Sequence, residues 1–150
     1  MPGFFFVLER IGLLLLPPKQ LFVPRVVLTA VLSHLEQVFP EEGCGFLAGT
    51  GERVSHWFAV ENVLHSQTVY EMHPEEQLRA MLAVEEAGLQ MLAVFHSHPF
   101  GPARPSPTDI AQAYYPEWAQ VIVALRPFPP QVHCFTIVNK QSREIPIITV

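Results

Sequence analysis

The chain has 150 residues, of which 49% are hydrophobic and 15% are charged. This length and composition predict one globular domain with a sizeable hydrophobic core, and they argue against disorder. Acidic residues outnumber basic ones by 14 to 9, which gives a net charge of −5, and the basic residues are scattered. A nucleic-acid partner is therefore not expected, because proteins that bind one concentrate positive charge on one surface.

The cysteine count bears on the cellular compartment. Cys44 and Cys134 are the only cysteines, too few for a disulfide framework in a chain of this size. The default expectation is a reducing compartment and a cytoplasmic location, with a single bridge between the two residues as the alternative.

Residues 1–18 are strongly apolar but do not match a signal peptide. No basic segment precedes the apolar run, Glu9 and Arg10 interrupt it, and no small-residue cleavage site follows. Neither apolar half reaches the roughly 18 residues that a membrane span requires. We therefore expect residues 1–18 to be an appendage, residues 19–150 to form the domain, and no membrane to be a partner.

The first half of the domain shows one helical pattern and one hairpin. Apolar residues at spacings of three and four begin after Pro24 and predict a helix that Pro40 ends, with a buried stripe of Val27, Val31, Leu35 and Val38. The apolar run 43–49, a GTGE turn and the run 53–60 predict two paired strands.

The second half alternates helices and strands. A short strand is expected at 69–72, and Pro74 begins a second helix, whose predicted buried face is Leu78, Met81 and Leu82. The apolar run 89–98 predicts a central strand. A third helix begins within SPTDIAQAYY, and further strands are predicted at 119–125, 132–138 and 144–149. The fold class is therefore α/β, with a single mixed β-sheet and helices packed on it.

The end of the central strand carries candidate metal ligands. His96 and His98 project from the same face of a strand, about 6.6 Å apart along the chain, and can converge on one ion at about 2.0–2.1 Å. Asp109 supplies a third, oxygen ligand if the loop from Pro99 to Pro105 folds back. Two simpler interpretations stay open: ordinary histidines, and a capping box in which Ser106 is the N-cap and Asp109 only complements the helix dipole.

Two histidines and a carboxylate also describe the facial triad of non-haem iron oxygenases. A hydrolytic zinc site needs a base beside a water molecule and a donor for an oxyanion, whereas an oxygenase needs a cosubstrate clamp. Glu42 and Ser106 supply the hydrolytic set, which favours hydrolysis.

The joint pattern resembles a known family. HSHPFGPARPSPTD, with seven residues between His98 and Ser106 and two between Ser106 and Asp109, resembles the JAMM signature of the MPN+ metalloproteases. PEEGCGFLAG resembles the segment that carries the catalytic glutamate of that family, which falls on Glu42. YEMHPEEQLRA resembles small prokaryotic members, although His73 stands where they often have aspartate. The resemblance covers about residues 20–150 and implies the MPN fold, with layering like that of cytidine deaminases.

The resemblance also implies a site and a function. It implies Zn²⁺ bound by His96, His98 and Asp109, with Glu42 as general acid and base on a water molecule and Ser106 stabilising the oxyanion. The implied reaction is cleavage of amide bonds at the C-terminal glycine of a ubiquitin-like or sulfur-carrier protein, which would be the partner. A catalytically silent MPN scaffold for protein–protein interaction is the alternative, and a DNA-associated relative is disfavoured by the acidic charge.

Overall fold

The predicted hairpin and the predicted central strand form the middle of one β-sheet. The computed structural model describes residues 16–150 of the chain. In chain order the elements are β1 (Leu21–Val23), α1 (Arg25–Val38), β2 (Cys44–Thr50), β3 (Arg53–Val60), α2 (Pro74–Glu86), β4 (Gln90–His98), α3 (Pro107–Ala111), β5 (Ala119–Ala124), β6 (Gln131–Val138), β7 (Gln141–Ile145) and β8 (Ile147–Thr149). Strand β4 pairs antiparallel with β2 and parallel with β5, so the sheet is mixed, as predicted.

The sheet curls so that its two edge strands come together end to end. Its strands lie in the order β7-β6-β5-β4-β2-β3-β1-β8, so β7 and β8 occupy opposite edges although only Pro146 separates them in the chain. A flat sheet of this width would place its edges about 33 Å apart. Residues 145 and 147 lie at most about 7 Å apart. The single strand predicted at 144–149 is therefore interrupted at Pro146, and its second part pairs with β1.

The alternating side chains of β4 contribute to two separate hydrophobic cores. Ala93 and Phe95 belong to the core that contains the buried residues of α1, whereas Val94 belongs to the core that contains those of α2. Because side chains two apart share a face of a strand, His96 and His98 lie on the α2 side. The two histidines thus follow Val94 along the face of β4 that packs in the α2 core.

The prediction for the first helix is confirmed, and the prediction for the second is wrong about its buried face. Helix α1 buries Val27, Val31 and Leu35 of its predicted stripe, and Val38 is half-buried. In α2, however, Leu78 is 57% exposed and Leu82 is 52% exposed, and the buried residues are Ala80 and Val84. Of the predicted face, only Met81 is partly buried against the core that contains these two residues. At 100° per residue Leu78 lies almost opposite Ala80. The helix therefore places its smaller side chains on the sheet, where they allow close approach.

Smaller differences concern short elements. The strand predicted at 69–72 is reduced to one bridge between Asn62 and Met72. The third helix ends at Ala111, well before the tyrosines that its predicted sequence included. Strand β1 was not predicted, since three residues are too short for a periodic signal. Only residues 16–18 of the predicted appendage are described, and within residues 16–150 no helix has the length and apolarity to span a bilayer.

Substitutions in α2 test which of its faces is buried. Val84→Ala should lower the free energy of unfolding by about 2 kcal/mol, because it removes buried methyl groups and leaves a cavity. Leu82→Ala removes more carbon atoms but should change stability by less than about 0.5 kcal/mol, because Leu82 faces solvent. Urea unfolding followed by tryptophan fluorescence measures both, and a larger loss in Leu82→Ala would contradict this packing.

Candidate metal centre

The last residues of β4 bring two imidazoles together in a buried position. His96 is fully buried and His98 is 8% exposed, with β2 and β5 flanking β4 on its two sides. The distance between His96 Nε2 and His98 Nε2 is 3.1 Å. Both histidines therefore point their Nε2 atoms at one place on the α2 side of the sheet.

Asp109 is delivered to the histidines by a capped helix start. Ser106 is the N-cap of α3 and Asp109 is its third residue, as predicted: the Asp109 N–H donates to Ser106 Oγ at 3.1 Å, and the Ser106 N–H donates to Asp109 Oδ2 at 2.8 Å. The same Oδ2 atom lies 3.1 Å from His98 Nε2 and 3.3 Å from His96 Nε2. Capping and proximity to the histidines therefore coexist, because the cap fixes where the carboxylate points.

These three atoms have the spacing that a tetrahedral ion requires. They are separated by 3.1, 3.1 and 3.3 Å. Ligands at about 2.0–2.1 Å from a tetrahedral zinc ion are about 3.3–3.4 Å apart. Two nitrogen donors and one carboxylate oxygen are also a usual donor set for zinc, so the residues present fit this metal.

The surroundings of both histidines are compatible with metal binding through Nε2. His98 Nδ1 lies 2.7 Å from the Pro102 carbonyl oxygen, which can accept only if Nδ1 carries the proton. His96 packs against the Tyr70 ring at 4.7 Å, and its buried Nδ1 has no hydrogen-bond partner among residues 16–150. Burial lowers the pKa of His96, which favours its neutral form. A neutral imidazole is the form that binds a metal.

The carboxylate of Asp109 carries the negative charge of the cluster. Burial acts to raise the pKa of Asp109, but hydrogen bonds with His96 and His98 outweigh burial and hold this pKa well below its usual range. Burial likewise acts to lower the pKa of His98, and the hydrogen bond with Asp109 reverses the direction. The cluster therefore contains a carboxylate anion that is stabilised by a positive charge beside it, either a protonated imidazole or a bound cation.

Glu42 reaches the site through the register of β2 on β4. Cys44 pairs with His96, so the residue two positions before Cys44 falls on the same face, next to His98. One carboxylate oxygen of Glu42 and one nitrogen of each histidine all lie within 4.8 Å of one another, and Glu42 is only 4% exposed. Burial raises the pKa of Glu42 to about 7; a smaller effect of His98 lowers this pKa, and a smaller effect of Asp109 raises it. A carboxyl with this pKa can both accept and donate a proton near neutrality.

Two clefts open beside these residues. One, of about 510 Å³, is lined by Tyr70, Asp109 and Trp118 among others. The second, of about 380 Å³, is lined by Glu42, His98 and Ser106 among others. Because Ser106 and Asp109 belong to one capping box, the two clefts adjoin at the candidate metal centre. A substrate therefore has room on both sides of it.

Asn62 supports the backbone of Glu42, a role that the sequence did not reveal. The Asn62 side-chain amide donates to the Glu42 carbonyl at 3.0 Å and to the Val69 carbonyl at 3.1 Å. Its Oδ1 atom accepts from the N–H groups of Leu64 and Glu71, each at 3.1 Å. In the sequence Asn62 is a polar amide two residues after a predicted strand, and a turn would produce the same signal.

The remaining titratable groups near the site have ordinary structural roles. Cys44 is fully buried, and burial raises the pKa of its thiol to about 12, which agrees with a small buried strand residue. Cys134 is also a free buried thiol, so the two cysteines form no bridge. Glu41, the neighbour of Glu42, contacts His65 at 3.1 Å on the surface instead.

The raised pKa of Glu42 predicts a stability that depends on pH. Between pH 4.5 and about 7 the folded metal-free protein binds more protons than the unfolded chain, so stability falls as pH rises through this window. Above about pH 7 the loss in the free energy of unfolding reaches about 3 kcal/mol. In urea unfolding with a chelator, Glu42→Gln should raise the free energy of unfolding by most of this amount at pH 8 and by almost nothing at pH 4.5. The partly exposed Glu41→Gln is the matched control, and an equal gain there would contradict the assignment.

Comparison with known proteins supports the family suggested by the residues. The protein named "Probable TtuB-protein conjugate cleaving protease" from Thermus thermophilus is 45% identical over 94 residues, which are 62% of this chain and 63% of that protein. The chain thus spans less than two thirds of that relative. The CysO-cysteine peptidase of Mycobacterium tuberculosis is 31% identical over 124 residues, which are 81% of this chain and 85% of the relative.

Solved structures show the same fold. The solution structure of a protein from Desulfitobacterium hafniense matches with a TM-score of 0.79 and 32% identity, covering 87% of this chain and 92% of that one. A JAB1/MPN domain protein from Archaeoglobus fulgidus matches with a TM-score of 0.59 and 18% identity, over 85% and 99% of the two chains, which shows the fold alone. The family described as prokaryotic homologs of the JAB domain matches residues 24–138. The chain therefore belongs to the family of prokaryotic homologs of the JAB domain.

Proposed function

We propose that this protein is a zinc-dependent peptidase that hydrolyses the amide bond at the C-terminal glycine of a ubiquitin-like or sulfur-carrier protein. The observation that carries the proposal is the group formed by Nε2 of His96, Nε2 of His98 and Oδ2 of Asp109, with buried Glu42 beside it. The names of the relatives support the substrate class: one is called a conjugate-cleaving protease, one a CysO-cysteine peptidase, and another, from Pyrococcus furiosus, a desampylase.

His96, His98 and Asp109 would hold the zinc ion. When bound, zinc supplies Lewis acidity, which lowers the pKa of a water molecule at the ion to about 7. Glu42 then acts as the base that takes a proton from the attacking water, because its carboxyl lies beside both imidazoles and its pKa is about 7. The protonated Glu42 afterwards donates that proton to the leaving amine. One carboxyl thus serves both proton transfers, without a covalent intermediate.

Ser106 supports the oxyanion that forms on the substrate carbonyl. Its Oγ atom already accepts the Asp109 N–H, so its hydroxyl proton is available to a substrate oxygen. Ser106 also lines the cleft that contains Glu42 and His98. Loss of an oxyanion donor costs about 2.7–4 kcal/mol of barrier in comparable sites.

A conjugate assay tests the proposed substrate class. A ubiquitin-fold carrier protein joined through its terminal glycine to cysteine, to a lysine side chain or to a peptide should be cleaved at that glycine when the enzyme is loaded with zinc. Mass spectrometry of the products identifies the bond. If every conjugate stays intact while zinc occupancy is complete, this specificity is wrong.

Two substitutions separate the proton-transfer role from the ligand role. Glu42→Gln should keep zinc and lose turnover by at least about 10²-fold, because an amide cannot accept the proton. His96→Ala should lose both zinc and turnover. Elemental analysis together with the conjugate assay measures the two effects. Equal zinc loss in both variants would contradict the role of Glu42 as base, and less than a tenth of an equivalent of zinc in the unsubstituted protein would favour the scaffold alternative.

A further inference from the structure

The base and the metal ligands lie at the end of one antiparallel ladder. The last pair of the β2–β4 ladder is Cys44 with His96. The same register, continued by one residue, places Gly43 opposite Ser97, and continued by two places Glu42 opposite His98. The relative position of Glu42 and His98 therefore depends on how the chain is held at the Gly43–Ser97 pair.

The Gly43–Ser97 pair is closed by a side chain. The Ser97 N–H donates to the Gly43 carbonyl at 3.0 Å, as in a regular ladder. The Gly43 N–H donates to Ser97 Oγ at 2.8 Å. In a regular hydrogen-bonded pair this second bond goes to the backbone carbonyl of the opposite residue. Here a hydroxyl takes the place of that carbonyl, and it belongs to the residue between the two histidines.

This hydroxyl bond is enclosed on the side of α1. Ser97 is fully buried, and its side chain points to the face opposite the histidines. A Cβ atom at Gly43 would lie 2.7 Å from atoms of both Leu35 and Val38, so α1 packs directly on the backbone there. Loss of the acceptor of a buried N–H in such a place costs folding free energy, because neither water nor another side chain takes over as acceptor.

Other hydrogen bonds attach Glu42 to a different segment. The Glu42 N–H donates to the Ser66 carbonyl at 2.8 Å, and Asn62 Nδ2 donates to the Glu42 carbonyl at 3.0 Å. These bonds connect Glu42 with the segment after β3. The two bonds of Ser97 connect the adjacent residue, Gly43, with the strand that carries the ligands.

We propose that Ser97 is a positioning residue, which holds the Glu42–Gly43 backbone against β4 and thereby sets the distance between the Glu42 carboxylate and the metal ligands. This inference rests on the proposed function of Glu42 as the base. Ser97 touches neither substrate nor metal, and it acts through Gly43. Its importance for rate follows from geometry, since a displacement of about 1 Å at a reacting group can cost about 10²-fold in rate.

Three variants test the role of Ser97. Ser97→Ala should bind a full equivalent of zinc, lose about 10- to 100-fold in kcat with an unchanged KM, and show faster hydrogen exchange at the Gly43 amide. Ser97→Thr keeps the hydroxyl and should restore most of the rate and the protection. Val31→Ala, a core substitution in α1 away from the site, is the control for lost stability, and its kcat should equal that of the unsubstituted protein.

The outcomes separate this inference from the proposed function. A normal kcat in Ser97→Ala, or an equal loss of kcat in Val31→Ala at a matched fall in Tm, would overturn the positioning role. Loss of zinc in Ser97→Ala would also overturn it, because the defect would then lie in the ligands. If the unsubstituted protein cleaves no conjugate, the proposed function fails. The exchange rate of the Gly43 amide then tests the role of Ser97 separately. Unchanged protection in Ser97→Ala would refute the hydrogen bond from the Gly43 N–H to Ser97 Oγ.

Discussion

Three candidate ligand atoms, held within 3.3 Å of one another, are the constraint around which the domain is arranged. Two of them come from adjacent same-face positions at the end of β4, and the third comes from a helix of only five residues. A helix this short has little stability of its own. The capping box of Ser106 and Asp109 therefore has two effects. It provides hydrogen-bond acceptors for the N–H groups of both residues, and it points the carboxylate at the histidines.

Burial raises the pKa of Glu42 and costs stability. Glu42 is held in a place that water scarcely reaches, and its pKa is near 7 for that reason. Charging a carboxylate there is unfavourable for folding, while the same effect keeps one proton exchangeable at neutral pH. The two hydrophobic cores on either side of the sheet supply the stability that offsets this cost, and their common strand is the one that ends in the histidines.

The exposed and buried faces of α2 show why periodicity alone misleads. The predicted buried face was Leu78, Met81 and Leu82, yet the buried residues are Ala80 and Val84. Which face of the helix meets the sheet depends on contacts with distant segments, and these are a property of the assembled fold. Gln77 of the same helix lines the larger cleft, whereas Leu78 and Leu82 are exposed to solvent.

The sequence by itself determined the mixed α/β class, the main helices and strands, and the residues that the structure brings together: His96, His98, Asp109 and Glu42. It did so because strand alternation, a capping box and a family resemblance are all local or patterned signals. Only the tertiary structure decided the closure of the sheet at Pro146, the orientation of α2, and the bonds of Asn62 and Ser97 to the backbone around Glu42. These depend on contacts between segments far apart in the chain, such as the 54 positions that separate Gly43 from Ser97, and no local pattern encodes them.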